Sequence, residues 1–189
     1  MRIISGRARG TKLYTLDSLN TRPTLDRVKE SVFNIIQNDI EGTVVLDLFA
    51  GCGAIGLELL SRGAEKAVLC DNSKQAIEII KKNIEKTHMS DKVYLYNLNF
   101  EQCLEKIKNQ KFDIIYLDPP YDTDYIKKSL DKIIEYNILK TDGQIILETD
   151  DEQRIINEIK NIDIEINDKR KYGRATIIFL NKKPNLERG

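Results

Sequence analysis

The sequence predicts an α/β fold: an open, mostly parallel seven-stranded sheet with a C-terminal antiparallel hairpin, preceded by a small N-terminal β-hairpin and helix. Three observations predict it. From residue 43 onward, short β-rich runs alternate with stretches of helical periodicity. A glycine-rich turn joins the first run to the first helix of this series. The last two runs follow one another through Tyr172-Gly173 with no helix between them. Alternation builds right-handed βαβ units and a parallel sheet covered on both faces, whereas two consecutive strands force an antiparallel pairing.

Ahead of the alternating region, Arg2–Ser5 and Thr11–Leu16 read as the arms of the N-terminal hairpin. Asp26–Gln37 reads as an amphipathic helix with Val28, Val32, Phe33, Ile35 and Ile36 turned inward. Thr43–Phe49 is the first strand, and Ala54–Arg62 the helix after its glycine turn. Lys66–Asp71 is the second strand. Ser73 is placed to cap a helix reaching Lys86, whose Ala76, Ile77, Ile79, Ile80 and Ile84 recur at mostly helical spacing. Strand Lys92–Asn97, helix Phe100–Lys108, strand Phe112–Leu117 and helix Asp124–Tyr136 follow. Strand Gly143–Glu148 and helix Glu152–Lys160 complete the alternation. Strands Asp163–Lys169 and Arg174–Leu180 form the closing hairpin. Nothing repeats internally, and only the Asn/Lys/Glu-rich stretch from Asn181 reads as loose.

With 189 residues, 32% charged and 41% hydrophobic, the chain has the balance of one globular domain. No stretch approaches the roughly 20 apolar residues of a membrane helix. The opening MRIISGRARG lacks the apolar core of an export signal. Cys52, Cys70 and Cys103 are odd in number and widely spaced, which argues against a disulfide framework and fits the cytoplasm. With no Cys-x-x-Cys and His88 as the only histidine, no metal is expected. A monomer is the default expectation.

The net charge of zero conceals an asymmetry. Residues 1–30 carry seven Lys/Arg against three acids, leaving 23 basic against 27 acidic in the rest. A basic segment on an acidic body points to a polyanionic partner. A merely solvated charged tail is the alternative.

Gly51-Cys52-Gly53-Ala54-Ile55-Gly56 matches G-x-G-x-x-G between a strand and a helix, and Asp71 ends the next strand 20 residues after Gly51. Dinucleotide folds and methyl-donor folds both use such glycines for close backbone approach, and both place an acid for ribose hydroxyls. Asp47 favours the second. It ends the first strand beside the loop, and Asp47–Leu57 contains no Lys or Arg. A pyrophosphate there would meet a carboxylate at a cost of roughly 1–4 kcal/mol. S-adenosylmethionine carries no phosphate and offers an ammonium and a sulfonium instead. Asp47, Phe49, Ala50, Gly51, Gly53, Asp71 and Asn72 are therefore candidate cofactor residues. Asn99 and Phe100 join them after the third strand, where an amide can bond the adenine edge and a ring can flank its face. Asn99 as a helix cap with Phe100 in the core is an equally simple reading.

Asp118-Pro119-Pro120-Tyr121 follows the strand FDIIYL directly, at a carboxyl end where open α/β sheets bind ligands. Two prolines stiffen the turn and remove two donors, so nearby carbonyls stay free to accept. An exocyclic amine on a base is a poor nucleophile because its lone pair is delocalised into the ring. The Asp118 carboxylate and the Pro119 carbonyl can accept its two hydrogens and stabilise the charge that grows on nitrogen. Tyr121 can stack on an extruded base. No strong base is needed, since the proton becomes acidic once the methyl has transferred.

RIISGRARGTKL from Arg2, RPTLDRVKESVFNII from Arg22, VLDLFAGCGAIGLE from Val45, DIIYLDPPY from Asp113 and YGRAT from Tyr172 occur in that order. Together they resemble the bacterial 16S rRNA (guanine-966-N2) methyltransferases over nearly the whole chain. The resemblance implies a Rossmann-like class I methyltransferase fold and S-adenosyl-L-methionine as donor, with S-adenosyl-L-homocysteine as product. It also implies a guanine N2 amine of 16S rRNA within small-subunit particles as target. Residues 1–189 would then form one methyltransferase domain. Its basic, RNA-facing hairpin and helix would span 1–40, and its catalytic core 41–183. Asp118, Pro119, Pro120 and Tyr121 are the candidate catalytic loop. Arg2, Arg7, Arg9, Lys12, Arg22, Thr24, Arg27 and Arg174 are candidate substrate contacts, of which Arg22, Thr24 and Arg27 could instead face the methionine end of the donor. Asn99 stands where many relatives carry Asp, and Arg174 where an acid is expected. A DNA adenine-N6 methyltransferase and a non-enzymatic RNA-binding assembly factor are the alternatives. The segments between strands are too short for the target-recognition domain the first would need.

Overall fold

The computed structural model describes residues 1–16, 23–121 and 123–184. Strands β1 (Val44–Asp47), β2 (Lys66–Asp71), β3 (Val93–Asn97), β4 (Phe112–Leu117), β5 (Leu139–Thr149), β6 (Ile164–Tyr172) and β7 (Ala175–Lys182) form one sheet. Its order is β3-β2-β1-β4-β5-β7-β6. Pairings among β1 to β5 are parallel, and β7 runs antiparallel to both β5 and β6. This is the seven-stranded class I sheet that the sequence predicts. The chain works outward from β1 to β3 and then returns to place β4 on the other side of β1. That reversal is the switch point outside which α/β sheets bind ligands.

The helices are α1 (Pro23–Ile35), α2 (Ala54–Ser61), α3 (Lys74–Thr87), α4 (Phe100–Lys106), α5 (Tyr125–Glu135) and α6 (Glu152–Glu158). Two apolar clusters cover the two faces of the sheet. One gathers Phe33 of α1, Leu57 of α2 and Ile80 of α3. The other gathers Leu104 of α4, Leu130 of α5 and Ile155 of α6. Alternate residues of β7 feed both: Ile177 and Phe179 into the first, Ile178 and Leu180 into the second.

Several boundaries differ from the sequence reading for local reasons. Helix α1 begins at Pro23, since proline suits a first helical turn that needs no N–H. Ile35, expected inward, is 40% exposed because α1 ends there and Ile36 takes the buried side. Ser73 caps α3 as expected, its Oγ accepting the Ala76 N–H at 3.3 Å. The N-terminal hairpin is shorter than expected, a single Arg2–Lys12 bridge flanked by the Ile3, Gly10 and Leu13 amides bonding across it. The ladder stops because Ser5 gives its N–H to Glu58 instead.

Glu58 anchors that hairpin to the core. Fully buried on α2, it accepts the Ile4 N–H at 2.7 Å, the Ser5 N–H at 3.0 Å and the Arg62 Nε–H at 2.8 Å. Lys29 Nζ lies 3.3 Å away and also donates to the Arg2 carbonyl. Gly6 permits the close approach: its φ is +79°, and a Cβ there would sit 1.8 Å from the Ser61 carbonyl oxygen. Asn83 of α3 fixes the hairpin's exit, accepting the Tyr14 N–H and donating to the Tyr14 and Cys52 carbonyls.

Candidate active site

Parallel register aligns four carboxylates along one edge of the sheet. Asp47 ends β1 and Asp71 ends β2. Leu117 pairs with Leu147, so Asp118 and Glu148 follow at neighbouring positions. All four line a single cavity of about 760 Å³, within the size range of small-molecule sites. Phe49, Ala50, Gly51, Asn72, Asn99, Phe100, Pro119, Pro120 and Tyr121 line it too, so the predicted cofactor and catalytic residues converge. Gly53 does not face the cavity. It caps α2 with φ +80°, and a Cβ there would touch Ile80 at 3.4 Å.

One end of the cavity suits a nucleoside. Asp71 accepts the Gly51 N–H at 2.9 Å and the Ser73 N–H at 2.8 Å, each oxygen keeping a lone pair for a hydroxyl. Asn97, unremarked in the sequence, steadies this turn by donating to the Asp71 and Asn72 carbonyls. Phe49, Phe100 and Tyr125 form an aromatic wall, with Phe100 centred 5.6 Å from Phe49 and 4.8 Å from Tyr125. Asn99 combines both readings: it lines the cavity and caps α4, its Oδ1 accepting the Gln102 N–H at 2.9 Å.

The other end is acidic. Asp47 is 2% exposed and accepts the Gly56 N–H at 3.1 Å; burial, and then the nearby Asp71, push its carboxyl up to about 7. Asp118 opens onto the cavity, where water reaches it, but dense surroundings and then the Glu148 and Asp47 charges push its carboxyl up to about 8. Burial also raises Glu148, partly offset by the Tyr121 hydroxyl, which donates to Glu148 Oε1 at 3.3 Å. Tyr121 is 47% exposed, its ring available to a base. Carboxylates held in this state are stabilised by an incoming cation.

The remaining wall comes from the N-terminal region, through Met1, Leu16, Val28 and Lys29. Arg2, Arg7, Arg9 and Lys12 lie exposed on the hairpin, and among the described residues none of the four has an ion-pair partner. Arg174 is exposed in the β6–β7 turn, which the Tyr172 hydroxyl ties to Ser31 of α1. These residues stand outside the cavity. Arg22 and the side chains of Thr24 and Arg27 lie outside the described residues. Sequence reasoning missed Glu148, Tyr125 and Lys29. Glu148 had a signal: like Asp47 and Asp118, it stands at the carboxyl end of an apolar run.

A family model described as "Conserved hypothetical protein 95" matches residues 1–181. The chain belongs to this family. Its relatives include YlbH of Bacillus subtilis, 36% identical over 185 residues that cover 97% of this chain and 100% of that protein. "Ribosomal RNA small subunit methyltransferase D" of Haemophilus influenzae is 36% identical over 158 residues, 82% of each chain. The solved structure of Escherichia coli yhhF superposes with a TM-score of 0.84 at 27% identity, covering 97% of this chain and 98% of the other. These neighbours share the class I methyltransferase fold.

Proposed function

We propose that this chain transfers a methyl group from S-adenosylmethionine to the N2 amine of a guanine in small-subunit ribosomal RNA. The observation that carries the reading is the row of Asp47, Asp118 and Glu148 along one cavity whose other end offers a ribose acceptor and an aromatic wall. The family relatives named as small-subunit ribosomal RNA methyltransferases, and the Asp118–Tyr121 tetrapeptide, supply the substrate class.

The residues present fit the donor. Asp71 suits its ribose hydroxyls, Phe49 and Phe100 its adenine, and Asp47 its positive charge. When bound, it supplies the methyl group. Asp118 and the Pro119 carbonyl accept the hydrogens of the amine and turn its lone pair toward the methyl. Placement of this kind can account for much of a rate enhancement. Tyr121 holds the base by stacking, with its hydroxyl anchored on Glu148. A carboxylate at position 118 also stabilises the cationic nitrogen during attack.

The test is transfer of labelled methyl to small-subunit RNA, naked and in assembled particles, followed by mass-spectrometric identification of the nucleoside. N2-methylguanosine is expected, and methylated adenosine or no transfer would overturn the reading. Asp118→Ala should reduce transfer by at least a hundredfold, the scale of one lost preorganised transition-state contact, with donor affinity retained. Near-normal turnover would remove Asp118 from the mechanism.

A further inference from the structure

Of the four aligned carboxylates, Glu148 is the one to which the proposed chemistry assigns no contact with donor or base. It is 7% exposed, follows Leu147 where Asp118 follows the paired Leu117, and lines the same cavity. The Tyr121 hydroxyl donates to its Oε1, while among the described residues its Oε2 has no hydrogen-bond partner. A carboxylate oxygen that opens onto the cavity beside the proposed amine site, and that no described protein group donates to, is available to a donor on the ligand.

The bases differ at the atom next to the exocyclic amine. In guanine, the ring nitrogen N1 beside the N2 amine carries a hydrogen. In adenine and cytosine, the corresponding nitrogens, N1 and N3, carry lone pairs. A carboxylate placed beside the amine-binding group therefore attracts guanine and repels the other two. We propose that Glu148 is the specificity-determining residue of this site, reading the N1–H of the target guanine while Asp118 and Pro119 hold the adjacent amine. Tyr121 then has two duties, stacking on the base and keeping Glu148 Oε1 occupied so that Oε2 faces the ligand. The inference rests on the guanine reading above and assigns its base selectivity to one side chain.

The discriminating probe is 2-aminopurine, which keeps the same 2-amino group but has an unprotonated ring nitrogen beside it. Small-subunit RNA carrying guanine or 2-aminopurine at the methylated position would be compared with the unaltered chain and with Glu148→Gln. The unaltered chain should prefer guanine by about ten- to a hundredfold in kcat/KM, the worth of one good base-edge contact. Glu148→Gln offers an amide that can donate as well as accept, so that preference should shrink towards unity. Its affinity for S-adenosylmethionine should stay near that of the unaltered chain and its melting temperature should not fall, which separates lost selectivity from lost folding. An unchanged guanine preference in Glu148→Gln, or equal use of both bases by the unaltered chain, would overturn the inference. Failure of the unaltered chain to methylate any guanine would sink the reading of the preceding section instead.

Discussion

At the scale of single residues, the acidic row sets two opposing demands. Asp47 holds its proton more tightly in the fold than in the unfolded chain, because burial penalises its charge. Its contribution to stability is therefore complete below the ordinary carboxylate range, near 3.8, and is lost as pH rises towards about 7. Asp47→Asn keeps the shape and an oxygen for the Gly56 N–H but removes that charge. The variant should melt a few degrees higher at pH 8, a gain of about 1–2 kcal/mol, and bind S-adenosylmethionine at least tenfold more weakly. Differential scanning calorimetry and titration calorimetry check the two halves. The same reasoning gives a pH dependence. A cationic ligand favours ionised Asp47, so its binding should release a proton near pH 7, and its affinity should fall as pH drops from 8 to 6. Titration in two buffers of different ionisation enthalpy measures the release.

Elements explain how the site is assembled. The predicted cofactor and catalytic side chains are delivered by the carboxyl end of a strand or by the turn after it, which is why that part of the candidate site was legible. A glycine turn after VVLD, an acid closing KAVLCD and a tetrapeptide after FDIIYL are local patterns that a one-dimensional reading captures. Glu148 escaped because its meaning comes from register: only the pairing of β4 with β5 makes it a neighbour of Asp118. Lys29 and Tyr125 escaped because helix packing, not spacing, turns them to the cavity. The hairpin's short ladder was equally invisible, since Glu58 takes the Ser5 amide from 53 residues away. Docking of the hairpin on α2 can be tested by itself. Gly6→Ala forces a Cβ against Ser61 and strains a positive φ, at a cost of about 1–3 kcal/mol. The variant should keep its sheet by circular dichroism and lose most RNA affinity, with the hairpin amides exchanging faster.

For the whole molecule, charge is divided between surfaces. The cavity is acidic, whereas the basic side chains Arg2, Arg7, Arg9 and Lys12 stand outside it, on the hairpin whose flanking residues Met1 and Leu16 reach the cavity's rim. A polyanion drawn to that rim would set its backbone on the hairpin and leave an extruded base to enter the acidic site. Replacing the four with neutral residues should weaken RNA binding uniformly across sequences. Each phosphate contact removed should flatten the plot of log affinity against log salt by about 0.7–0.9. An unchanged slope would exclude these four as the phosphate anchors.

The position of β7 reaches beyond the finished molecule to its manufacture. This strand lies between β5 and β6 and supplies side chains to both apolar clusters, yet it occupies residues 175–182. During translation, both faces of the sheet therefore wait, partly uncovered, until residues 175–182 have left the ribosome. Closure of both layers must then wait for this strand, and a message cut short before codon 175 would yield a product with neither hydrophobic layer sealed.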